Sequence, residues 1–130
     1  MACLRIIGDD LVPEEITSLL GASPTKAQRK GEAIPVKAGE RIAIGGSWHL
    51  EAAAAEPENL DAQVSELLGK LTENLQVWRS LGARYRVDLF CGWFMNEGDE
   101  GVCISPITLR ALGERSIELG ICVYAPSSDA

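Results

Sequence analysis

The sequence predicts an α+β fold of two layers, a mostly antiparallel sheet of about five strands with three helices packed on one face. Apolar residues recur at three- and four-residue steps across 57–81, period-two alternation runs through 47–51, 85–95 and 117–124, and each helix follows an apolar-faced strand. With 130 residues, 46% of them hydrophobic and 24% charged, the chain has material for one core. It is read as a single α+β domain over 1–125, with 126–130 expected to be a disordered tail.

The first strand is a short apolar run containing Leu4 and Ile6, which ends where Gly8-Asp9-Asp10 replaces strand formers with turn formers. Helix one follows: Pro13 presets the first turn, Glu14 and Glu15 meet the positive end of the helix dipole, and Ile16, Leu19 and Leu20 form a stripe ending at Gly21. The stretch 22–46 carries glycines, prolines and a basic cluster, Lys26, Arg29 and Lys30, with Lys37 and Arg41 nearby. A structureless loop of that length is uncommon in a compact domain, so a small hairpin or a functional role is expected there.

In 47–51 Trp48 and Leu50 face one way while Ser47, His49 and Glu51 face the other. The strongest helical period, Leu60, Val64, Leu67, Leu68, Leu71, Leu75 and Trp78, predicts one long amphipathic helix over 57–81 closed by Gly82. In 85–95 Val87, Leu89, Cys91 and Trp93 share a face, with Arg86 and Asp88 on the other. A turn over 96–101 is expected to return the chain through 102–104 as a hairpin. Ser105-Pro106 then opens a short helix through Ile107, Leu109 and Leu112, and Ile117, Leu119, Ile121 and Val123 alternate in a last strand. Trp48, Trp78 and Trp93 all fall on apolar faces and are expected in the core.

Composition excludes several classes of function. Nineteen acidic against twelve basic residues give a net charge of −7, which repels a phosphate backbone and an anionic bilayer alike, so nucleic acid and membrane are not expected partners. The start of the chain has no export-signal pattern, and a cytoplasmic location is expected. Cys3, Cys91, Cys103 and Cys122 stand singly, without the spacings that place two thiolates on one metal, and are expected to be free thiols; no metal or cofactor is expected. No phosphate-cradling glycine pattern and no G-x-S-x-G nucleophile elbow occurs.

With the elements placed, the chain resembles the bacterial domain-of-unknown-function 4279 family over nearly its whole length. The resemblance is carried by Gly8-Asp9-Asp10 with Val12-Pro13-Glu14-Glu15-Ile16, Leu20-Gly21 with Pro24, Lys30-Gly31-Glu32, Ser47-Trp48 with Leu50, and the closing 121–124. It implies a compact α+β fold and small bacterial proteins, and it implies no activity. Cys122 stands where the family's usual ending has an acid, so that position takes no charge-dependent role here.

If the helices cover one face of the sheet, alternation leaves His49, Glu51, Arg86, Asp88, Phe90, Glu118 and Tyr124 on the other, with Arg5 among them. The candidate ligand- or partner-binding residues are Arg29, Lys30, His49, Glu51, Arg86, Asp88 and Tyr124; no catalytic residue is assigned. Two readings of different class follow. One is a non-enzymatic binding or protein-interaction module, accessory or immunity-like, using the open face and the basic loop. The other is a small-molecule binder or minor enzyme centred on His49 and Asp88, with His49 as a general base oriented by Asp88 or Glu51. The partner is then a protein or a small polar ligand. A protein asks for a broad, shallow surface and a small ligand for a concave pocket with convergent polar groups.

Overall fold

Ala2, Leu4 and Ile6 alternate with Cys3, Arg5 and Ile7 along β1 (Ala2–Gly8), and this strand becomes the middle of the sheet. The computed structural model describes residues 1–54, 59–96, 98 and 101–126. After β1 the chain forms α1 (Pro13–Leu20), β2 (Lys26–Gln28), the hairpin β3 (Ala33–Val36) and β4 (Gly39–Ile42), and β5 (Gly46–Glu51). It continues with α2 (Leu60–Gly69), α3 (Leu75–Arg84), β6 (Arg86–Phe94), α4 (Pro106–Glu114) and β7 (Glu118–Tyr124).

The main sheet has the order β2-β5-β1-β6-β7, and β3 and β4 form a second, two-stranded sheet. The α+β class and the five-stranded sheet agree with the sequence; three details differ. First, the sheet is mixed, because β6 and β7 pair in parallel while the other three pairings are antiparallel. The expected hairpin from β6 back through 102–104 does not form, since β7, delivered by α4 as a crossover, takes that edge of β6. Second, the described residues form four helices, because the expected long helix is two. Asn74 caps α3 by accepting from the Gln76 N–H, and Trp78 Nε1 donates to the Thr72 carbonyl across the break at 2.9 Å. Third, the stretch 22–46 holds both the expected hairpin and an edge strand, β2. The expected helix start at 57–58, part of the turn (97, 99 and 100) and the tail at 127–130 lie outside the described residues.

Local chemistry explains the helix ends. Pro13 opens α1, and Gly21, at φ 81°, closes it by sending its N–H to the Thr17 carbonyl, a conformation that glycine adopts without strain. Ser105 caps α4 by accepting from the Thr108 N–H. The helices pack on one face of the sheet, where Leu4, Ile6, Trp48 and Leu89 are fully buried together with Ile16, Leu20, Val64, Leu67, Trp78 and Leu81. Trp48 is also anchored by a 3.1 Å bond from Nε1 to Thr17 Oγ1 on α1. Trp93 lies only partly buried beside this cluster. No helix among the described residues is long and apolar enough to cross a membrane.

The start of β5 admits no side chain: a Cβ on Gly46 would come 2.7 Å from the Gly8 carbonyl oxygen. That close approach seats β5 against β1 in register, pairing Gly8 with Gly46, Ile6 with Trp48 and Arg5 with His49. The same register puts Arg5 opposite Asp88 on β6, and Lys26 of β2 opposite His49.

Candidate functional site

Because side chains alternate along a strand, the paired positions Lys26, His49, Arg5, Asp88 and Glu118 form one row across all five strands on the face away from the helices. The open face therefore carries the groups expected of it. It is not, however, a uniformly solvated surface.

At its centre, Arg5 Nε and Nη2 each donate to one oxygen of Asp88, both at 2.8 Å, and the guanidinium lies over the Phe90 ring with its carbon 4.8 Å from the centroid. Asp88, held by this fork, is 4% exposed. The hydrogen bonds to Asp88 hold the Arg5 pKa above its ordinary value. Arg86, largely in solvent, approaches the same carboxylate at 3.7 Å. Cys3, on the same face of β1, is buried, and loss of solvent pushes its thiol up to about 11, so it is protonated at neutral pH.

Toward the other edge the face becomes concave. The hairpin and the turn after it fold beside β2 and β5 and form one wall of a groove of about 290 Å³. Lys26, Gln28, Ser47 and His49 line its sheet side, Arg41 and Ile44 come from the hairpin side, and Ile7, Gly45 and Gly46 complete it. Gln28 ties the wall in place: its Nε2 donates to the Gly45 carbonyl at 3.2 Å, and its Oε1 accepts from Arg41 Nη2 at 3.4 Å. The hairpin base is fixed by the Gly31 N–H to the Ala43 carbonyl and the Ala43 N–H to the Glu32 carbonyl, at 2.8 and 2.9 Å. Burial first, then the charges of Arg5 and Lys26, push the His49 pKa below its ordinary 6.5, against weaker opposing pulls from Glu51 and Asp88. His49 is thus neutral at physiological pH, and it makes no hydrogen bond to a carboxylate among the described residues.

The residues expected at the site divide into four groups. His49 lines the groove, and Asp88 and Arg86 lie on the same face, both on β6, two strands beyond it, with Asp88 engaged by Arg5. Glu51 lies on β5, exposed, its backbone N–H donating to Thr25 Oγ1 at 3.0 Å. Tyr124 is at the far edge of the sheet, stacked on Phe94 with ring centroids 4.6 Å apart, so it is not gathered with His49. Arg29 and Lys30 point to the α1 side, where Arg29 pairs with Glu14 at 2.7 Å and Lys30 with Asp9 at 3.5 Å. The cations that do reach the groove are their neighbours Lys26 and Arg41. Lys26 was legible from the alternation of β2 had that three-residue strand been recognised; Arg41 depends on where the hairpin folds.

No group of three or more His, Cys, Asp or Glu among the described residues is arranged to hold a metal ion. Residues 1–126 match the model of a family described as a domain of unknown function, DUF4279. No curated protein and no solved structure matches the chain.

Proposed function

The chain belongs to the DUF4279 family, and from the groove on its helix-free face we propose that it is a non-enzymatic binding module that takes a small polar ligand between β5 and the β3–β4 hairpin. The observation that carries this reading is the convergence of Lys26, Gln28, Arg41, Ser47 and His49 on one concavity, built from strands that the sequence separates. Its volume lies at the small end of the range for ligand pockets, which favours a compact molecule over a folded partner.

Binding is favoured over acid–base catalysis by the neighbours of His49. Asp88, the carboxylate that would orient His49 as a general base, has both oxygens bonded to Arg5 instead. Amide chemical shifts of ¹⁵N-labelled protein test the proposal against a library of small polar fragments. Binders are expected to move the signals of Gly45, Gly46, Ser47 and His49 together, and His49→Ala should weaken them. A library that moves no signal in this cluster, or moves signals only elsewhere, would overturn it.

A further inference from the structure

Three basic side chains from three strands meet in the groove without a carboxylate among its lining residues. Lys26 on β2 and His49 on β5 are paired across the sheet, and Arg41 is held above them from β4 by its bond to Gln28. Neither Lys26 nor Arg41 makes an ion pair with a described residue, unlike Arg29 and Lys30 one short turn of chain away. The acids that face His49 are Glu51, further along β5, and Asp88 on β6, already matched by Arg5 from β1. In a chain of net charge −7, this concavity holds positive charge that the protein itself leaves unmatched. A guanidinium fork, an ammonium, the Ser47 hydroxyl and a ring nitrogen are the donors that recognise the oxygens of phosphate, sulfate or carboxylate.

Resting on the binding-module reading, we propose that the groove's ligand carries a compact oxyanion held by Lys26 and Arg41, and that His49 takes up a proton as it binds. The free groove keeps the imidazole neutral through burial and the nearby Arg5 and Lys26. A bound anion opposes the charges of Arg5 and Lys26 at the ring, so the complex favours the imidazolium more than the free groove does. By linkage, a site that gains a proton on binding tightens as pH falls through the imidazole range.

Sulfate is the probe of choice because its own charge does not change over that range, and methyl phosphate and succinate as further arms distinguish a tetrahedral oxyanion from a carboxylate. Calorimetric titration and amide shifts from pH about 8 to about 5.5 should show sulfate at the groove, with affinity rising by at most about tenfold per pH unit, the limit for one linked proton. Lys26→Ala with Arg41→Ala should reduce affinity about tenfold or more at every pH, since charge-assisted hydrogen bonds are lost. Both side chains are exposed, so the variant should keep the wild-type amide spectrum. His49→Gln should retain binding at the alkaline end and lose the pH dependence. Anion binding that ignores the double substitution, or no anion binding while neutral fragments still occupy the groove, overturns the oxyanion and leaves the module reading standing. Wild-type affinity independent of pH overturns the proton uptake. If neither anions nor fragments move the groove signals, both proposals fall.

Discussion

A carboxylate on the helix-free face of a sheet is expected to sit in water, yet Asp88 is buried, both its oxygens bonded to an Arg5 guanidinium that itself lies over Phe90. Alternation identified the face it points to, but whether a side chain on that face is wet depends on its cross-strand neighbours, and those follow from register. Its neighbour Arg86 shows the contrast, with a side chain 66% exposed and a carboxylate contact of 3.7 Å. Asp88→Ala strands the Arg5 guanidinium over Phe90 and is expected to cost about 2–4 kcal/mol in urea unfolding. Arg86→Ala should cost less than about 0.5 kcal/mol, as for an exposed pair. Equal effects of the two substitutions would mean that the buried fork does not form.

At the scale of elements, the continuous apolar period from Leu60 to Trp78 reads as one helix because α2 and α3 both turn their apolar sides to the same core. Periodicity reports which side chains are buried and is blind to a turn that keeps them in phase. The break was marked more faintly, by Gly69 and by Asn74, a good helix-capping residue placed directly before Leu75. Asn74→Ala should therefore cost about 1 kcal/mol, an effect that a mid-helix asparagine would reverse, since alanine is the better helix former. Leu71, buried in the turn itself, should cost about 2–5 kcal/mol on replacement by alanine. Chemical denaturation of the two variants distinguishes the two-helix arrangement from a continuous helix by the sign of the Asn74 effect. The hairpin in 22–46 was legible from its length and punctuation, whereas its position beside β5, which creates the groove, comes from long-range contacts such as Gln28 to Gly45.

For the molecule as a whole, the division into a helix-covered face and an open one follows from period-two alternation, and the structure keeps that division on β1 and β5, whereas on β7 Ile121 and Val123 of the apolar set are exposed. Strand order and direction leave no such trace, which is why the parallel pairing of β6 with β7 departs from expectation. The middle position of β1 has a consequence for the time course of folding. One side of this strand is completed by β5 and the other by β6, and the Arg5–Asp88 fork spans 83 residues of sequence. Closing such distant pairs costs chain entropy before any contact offsets it, so the search for this topology should be slow for a domain of its size. Stopped-flow refolding followed through Trp48 and Trp78, both fully buried, should run on the scale of milliseconds to seconds. Complete recovery of the native signal within the mixing time would overturn that expectation. A nascent chain carries the same constraint: β1, made before β5 and β6, waits with one hydrogen-bonding edge unsatisfied until β6 has been synthesised.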